Sequence, residues 1–300
     1  MTALDRPVAP VAPVAADGPA ALYDEVARRT AGVVLASYSS SFGLASRLLA
    51  EPVRTHVRTT YALVRLADEV VDAPRPGLDT ERKRAVLDAL ESEVLAAMRS
   101  GHSANLVVHA FACTARACAI TEDLVRPFFA SMRTDLTTTH HDQASFEEYV
   151  YGSAEVVGLM CLRAFLVETG DPDGAYAALA PGAQRLGAAF QKVNFLRDLA
   201  EDGGLLGRHY FPGVDPATLD EAQKDRLLDD IDADLVVAAE ALEALPPSSR
   251  RAVRAAYALF ADLSRRLRAT PATEVRTTRV RVPGPRKAAL VARAVVRPVR

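Results

Sequence analysis

The sequence predicts an all-α, single-domain fold, and three observations carry that prediction. Apolar residues recur at helical spacing through most of the chain. No alternation of β-branched residues persists at strand length, the short stretch Thr277 to Val282 being the one candidate. Capping residues, prolines and glycines fall between the periodic stretches, where helices should begin and end. A chain of 300 residues that is 49% hydrophobic can bury one large core.

Taken in order, residues 1–19 carry four prolines and little periodicity, which reads as a disordered leader. The domain proper is expected over residues 20–300. Helical patterning predicts helices at about 20–36, 40–50, 52–72, 80–99, 104–119 and 122–133. Others are expected at about 146–169, 174–203, 218–227, 229–244, 247–269 and 284–297. Ser145 and Glu148 form a capping-box pattern ahead of the central helix. Pro52 and Pro247 suit first-turn positions. Gly203 and Gly204 form a stop signal after the helix that begins near residue 174. The sequence shows no internal repeat of fixed period.

Composition excludes several function classes. A net charge of −2 gives no footprint for nucleic acid. Cys113, Cys118 and Cys161 lack metal spacing and read as small buried hydrophobes of a reducing cytoplasm. No charged and apolar leader opens the chain, so no signal peptide is expected. Glu155 and Arg163 interrupt the best apolar run, so no spanning helix is expected either. His140 and His141 fall in a polar stretch that reads as a solvated loop. The segment from Arg276 to Arg300 carries eight basic residues and no acidic ones. With Ala288, Leu290, Val291, Ala294 and Val295 beside them, it reads either as a docked terminal helix or as a peripheral contact with an anionic membrane.

Two acidic segments carry the chemistry. The first holds Arg65, Asp68, Glu69 and Asp72; the second holds Gln191, Asn194, Arg197, Asp198, Glu201 and Asp202. At about 100° per residue, Asp68 and Asp72 lie about 40° apart on a helix, with Tyr61 and Arg65 on the same side. Gln191, Asp198 and Asp202 would likewise share one stripe, with Asn194 close by and Glu201 toward its edge. A lone pair of aspartates at such spacing is usually a solvated face. Here apolar residues surround both sets: Leu63, Val64, Leu66, Val70 and Val71 around one, and Val193, Phe195, Leu196 and Leu199 around the other. Carboxylates in apolar surroundings need partners or metal. Oxygen ligands in this number suit Mg²⁺, and the lack of cysteine or histidine at ligand spacing argues against zinc. Two facing carboxylate ladders hold hard cations, and such cations hold a diphosphate. The reaction class that follows is ionisation of a prenyl diphosphate.

These residues resemble the phytoene/squalene synthase family from about residue 25 to 290. Arg65, Asp68 and Asp72 match its first aspartate-rich motif. The run from Asn194 through Arg197, Asp198, Glu201 and Asp202 to Arg208, Tyr210 and Pro212 resembles its second. Ser39, Ser41 and Phe42 match an N-terminal element, and the stretch from Tyr149 through Gly152 and Ala154 to Gly158 resembles a central helix. Ser40 and Glu155 depart from the pattern, standing where a basic residue and a glycine are usual. The resemblance implies an isoprenoid synthase helical bundle enclosing a central apolar cavity. It implies metal ligation by Asp68, Asp72, Asn194, Asp198, Glu201 and Asp202, with Mg²⁺ as cofactor and Mn²⁺ as substitute; the sequence shows no Gly-rich dinucleotide fingerprint after a strand, so no NADPH is expected. Catalytic roles fall to Asp68, Asp72, Asp198, Asp202 and Tyr149. Substrate contacts fall to Ser39, Ser41, Phe42, Tyr61, Arg65, Gln191, Asn194, Arg197, Arg208 and Tyr210. Asp135 also matches a family position, and a polar anchor at a helix end is the alternative for it. The activity implied is head-to-head condensation of two geranylgeranyl diphosphates to phytoene. The alternatives are a squalene or dehydrosqualene synthase using farnesyl diphosphate, a one-substrate terpene cyclase, and a non-catalytic helical assembly factor. Oligomeric state is left open.

Overall fold

A computed structural model describes residues 18–201 and 208–296, with the side chains of residues 40, 41, 201, 295 and 296 outside the description. The expected leader falls almost wholly outside these residues, as do Asp202, Gly203 and Gly204.

The first half of the chain builds α1 (Pro19–Tyr38), α2 (Ser40–Ser46), α3 (Val53–Asp72), α4 (Thr80–Ser100), α5 (Leu106–Ala117) and α6 (Glu122–Thr134). Their ends have local causes. Asp79 caps α4 by accepting from Arg82 N at 2.9 Å, and Gly101 ends it at φ 81°, a conformation that favours glycine. Asn105 caps α5 through Val107 N and Val108 N. α3 buries Val53, Val57, Leu63, Ala67 and Val71, a stripe at helical spacing that leaves Asp68 and Asp72 beside it.

The central run is α7 (Gln143–Val150), a π-helical turn (Tyr151–Glu155) and α8 (Val156–Phe165). The expected start at residue 146 is corrected. Asp142 is the N-cap and forms a capping box with Ser145, because an aspartate one turn earlier accepts from Ser145 N at 2.8 Å. The π turn is permitted by Gly152, where a Cβ would collide with Pro127 O and Ser131 Oγ of α6. Ser131 Oγ in turn donates to Tyr149 O at 3.2 Å.

α9 (Pro172–Arg197), the short α10 (Leu199–Glu201), α11 (Glu221–Leu242), α12 (Pro247–Ala269), α13 (Ala272–Val275) and α14 (Gly284–Val296) complete the molecule. Two helices expected near 218–227 and 229–244 are one, since no glycine or proline separates them and Asp220 caps the whole with Gln223. The strand candidate at Thr277 is not a strand: Thr277 and Thr278 fold their hydroxyls back onto Glu274 O. Among the described residues the one β feature is an isolated bridge between His140 and His209.

Two large apolar clusters flank the middle of the bundle. One is built on Phe111, Phe128, Phe129 and Met160, the other on Phe195, Leu196, Leu228 and Leu263. α14 buries Leu290, Val291 and Ala294 in the second cluster, and Arg286 pairs with Asp262 of α12 at 2.8 Å. Leu290, Val291 and Ala294 thus dock the terminal helix, while Ala288 is exposed. Among the described residues no helix is long and apolar enough to cross a membrane.

Candidate active site

Between α3, α8, α9, α11 and α12 lies a cavity of about 310 Å³. Its polar lining groups are concentrated at one end, where Tyr61, Asp68, Ser153, Gln191 and Asn194 meet. The opposite end is apolar, closed by Phe165, Leu179, Leu245 and Val253. Asn194 and Leu179 lie at opposite ends of the lining part of α9, fifteen residues apart. Phe42, Tyr61 and Phe190 form an aromatic wall, with Phe42 6.2 Å from each of the other two rings. Ser39 caps α2 by accepting from Phe42 N at 3.1 Å, which fixes the backbone at Phe42. The Ser41 side chain lies outside the described residues.

The first acidic segment behaves as its spacing predicts. Asp68 lines the cavity, and burial, reinforced by the charge of Asp72, pushes its carboxyl up to about 7. Burial also raises the Tyr61 hydroxyl. Asp72 is exposed at the end of α3. Arg65 pairs with Glu69, one turn on, and stacks over the Tyr38 ring at 4.4 Å, with its Nε buried and unpartnered.

The second segment departs from one continuous stripe. Gln191 and Asn194 reach the cavity, but α9 ends at Arg197 and Asp198 is its C-cap at φ −97°, ψ 9°. Asp198 is gripped from two sides, by the Arg197 fork and by Arg279 Nε at 2.9 Å. Arg279 lies among the basic residues near the C-terminus, and sequence reading had no signal linking it to this site. The Glu201 side chain and Asp202 lie outside the described residues.

Arg208 closes the arrangement. Its Nη1 donates to Asp72 Oδ1 at 2.9 Å and to the Tyr210 hydroxyl at 3.4 Å, and its Nη2 donates to Asp135 O at 3.2 Å. Tyr149 does not line the cavity. It is buried against Phe195, Tyr210 and His141, with its hydroxyl donating to Asp135 Oδ2 at 2.6 Å. His141, expected in a solvated loop, is buried because its ring packs between these tyrosines. Glu155 turns away from the cavity and accepts from Gln184 Nε2 at 3.2 Å, so its departure from the family pattern alters packing between helices.

The donor set fits a hard divalent cation. Asn194 Oδ1 is buried with no hydrogen-bond partner, and Asp68 is crowded by a second carboxylate. An acceptor left orphaned beside such carboxylates is what a cation would satisfy. A second group, Asp24, His109 and Cys113, brings three candidate ligand atoms within 4.8 Å of one another between α1 and α5. There Ser103 N donates to His109 Nδ1 at 3.4 Å, which places the ring proton on Nε2, facing Asp24 at 2.8 Å. That tautomer ties two helices together and does not suit a metal at Nε2.

Comparison with known proteins agrees with this geometry. Residues 35–286 match the squalene/phytoene synthase family. The chain belongs to that family. Its members are head-to-head prenyltransferases acting on isoprenyl diphosphates. A 15-cis-phytoene synthase from a Paracoccus species is 29% identical over 249 residues, which cover 77% of this chain and 78% of that protein. The chloroplastic phytoene synthase 1 of Zea mays is 29% identical over 184 residues, 60% of this chain, and the match spans only 43% of the maize protein. A dehydrosqualene synthase solved with a ligand superposes with a TM-score of 0.75 at 21% identity, covering 92% of this chain and 98% of that one. At that identity the likeness establishes the fold, an all-α isoprenoid synthase bundle.

Proposed function

We propose that this protein condenses two geranylgeranyl diphosphates head to head into phytoene, a step of carotenoid biosynthesis. One observation carries the reading: Asp68 of the first acidic segment and Gln191 and Asn194 of the second line one largely apolar cavity. The likeness to bacterial phytoene synthases favours the C20 substrate over the C15 one.

Asp68, Asp72, Asn194 and Asp198 are the described oxygen donors that would hold Mg²⁺, or Mn²⁺ in its place, and Glu201 and Asp202 belong to the same set by sequence. Bound there, divalent cations would neutralise a leaving diphosphate and so favour its ionisation. Arg65, Arg197 and Arg208 provide planar forks for phosphate oxygens. Phe42, Tyr61 and Phe190 face the cavity beneath the polar end, where aromatic rings stabilise positive charge on a prenyl chain. The apolar lining keeps water from the cation. The 2,3 double bond of the second chain then attacks the first cation. Loss of a proton closes the cyclopropane of a cyclopropylcarbinyl diphosphate, which ionises with departure of the second diphosphate, rearranges and loses a second proton, so no hydride donor such as NADPH enters.

A peripheral membrane contact would rest mainly on charge, since Leu290, Val291 and Ala294 of α14 are buried in the bundle. Turnover tests the whole reading: purified protein with Mg²⁺ and either geranylgeranyl or farnesyl diphosphate, with products identified by mass.

A further inference from the structure

Asp135 sits at the C-cap of α6, outside both acidic segments, and accepts hydrogen bonds from three residues of other parts of the chain. Its Oδ2 accepts from the Tyr149 hydroxyl at 2.6 Å and its Oδ1 from the Tyr210 hydroxyl at 3.4 Å. Its carbonyl oxygen accepts from Arg208 Nη2 at 3.2 Å, and Arg208 Nη1 reaches both Tyr210 and Asp72. One residue of α6 thereby links α7, the chain beyond the second acidic segment and the end of α3.

The charges make the arrangement more than a tether. The Arg208 side chain is only 11% exposed, whereas the Asp72 side chain is 47% exposed. A cation that deep needs a nearby counter-charge. Asp72 is the wrong group to serve alone, because the proposed function directs its carboxylate to a divalent cation. Asp135 is the carboxylate that remains. Tyr149 and Tyr210 fix its two oxygens, and His141 packs behind both rings, leaving the group little freedom.

We propose that Asp135 is a positioning residue that holds Arg208 in the orientation needed to take a diphosphate, acting through its carbonyl, its charge and the Tyr210 hydroxyl. The proposal rests on the reading of Arg208 as a diphosphate ligand. It predicts a role for Asp135 in diphosphate affinity that depends on Arg208 being present.

Binding of inorganic pyrophosphate in the presence of Mg²⁺, followed by calorimetry on the full chain, tests it without requiring prenyl chemistry. Asp135→Asn keeps the shape and removes the charge, and it should weaken pyrophosphate binding roughly tenfold. In an Arg208→Ala background the same substitution should change affinity by less than about twofold. A purely structural role would weaken binding equally in both backgrounds, and that result overturns the proposal. So does wild-type affinity in Asp135→Asn. Should the asparagine variant fail to fold, Tyr210→Phe breaks the same link from the other side and should show the same dependence on Arg208. Wild-type protein that binds no pyrophosphate with Mg²⁺ sinks both the proposed function and this inference. Wild-type binding with an unaffected asparagine variant sinks this inference alone.

Discussion

Arg208 Nη1 and Asp72 Oδ1 meet at 2.9 Å across 136 positions of sequence, joining the end of the first acidic helix to the chain beyond the second acidic segment. The same pattern recurs around the site: Arg197 and Arg279 hold Asp198, and Arg65 holds Glu69. In two of these pairs, Arg208 with Asp72 and Arg197 with Asp198, a group expected to bind diphosphate neutralises one expected to bind metal.

Metal and diphosphate should therefore bind cooperatively, since each frees the partners the other needs. Mg²⁺ affinity, measured by calorimetry, should rise about 5- to 150-fold when pyrophosphate is present, and pyrophosphate affinity should rise by the same factor with Mg²⁺. Arg208→Ala should reduce that coupling. Independent binding of the two would contradict the exchange of partners.

Arg197→Lys keeps the charge and loses the fork that grips Asp198. A lost charge-assisted hydrogen bond is worth roughly 1.5–3 kcal/mol, or about ten- to a hundredfold in turnover. Steady-state kinetics should show that loss, with helical circular dichroism unchanged. Full activity would make Arg197 a structural residue.

Asp68 predicts opposite effects on stability and activity. Its carboxyl is raised in the folded state to about 7, so its contribution to stability is complete below the unfolded value near 3.8 and is lost as pH rises through 7. Asp68→Asn removes that cost. The metal-free variant should be more stable than wild type at pH 8 by roughly 2–4 kcal/mol, with the gain shrinking toward pH 4. Denaturant titrations at the two pH values check this. Turnover in the variant should fall by nearly all. A variant less stable than wild type at pH 8 would show that Asp68 is not under electrostatic strain.

Close helix packing around the cavity depends on two glycines. A Cβ on Gly187 would lie 2.5 Å from Ala154 O, and one on Gly158 would lie 2.6 Å from Ala183 O. Both contacts are with backbone, so the helices must part. Gly187→Ala should destabilise the fold by about 1–3 kcal/mol in chemical denaturation. An unchanged midpoint would mean that α9 can shift without cost.

Sequence periodicity made the helical class legible because amphipathic stripes such as that of α3 are local. It placed Tyr61, Asp68, Gln191 and Asn194 on faces that do meet in one cavity. The break at Asp198 was not legible: the flanking residues read as helix, and the cap is held by Arg279, eighty-one positions away. The π turn was hidden for the same kind of reason, since Gly152 is required by its contact with α6. The hydrogen bond from the Tyr149 hydroxyl to Asp135 has no signal in the sequence, because only the packing of α6 on α7 brings the two together. His141 was misread because its polar neighbours in sequence are not its neighbours in space.

The most direct test of the central claim is the mass of the hydrocarbon made by purified protein from geranylgeranyl diphosphate, with Mg²⁺ and without NADPH. The account predicts a C40 product with the mass of phytoene, abolished by excess EDTA. It also predicts markedly less condensation product from farnesyl diphosphate. A C30 product from farnesyl diphosphate alone would contradict the C20 assignment. Full activity in excess EDTA would contradict the chemistry assigned to the two acidic segments, and a main product that appears only with NADPH would put the squalene-forming alternative in place of phytoene.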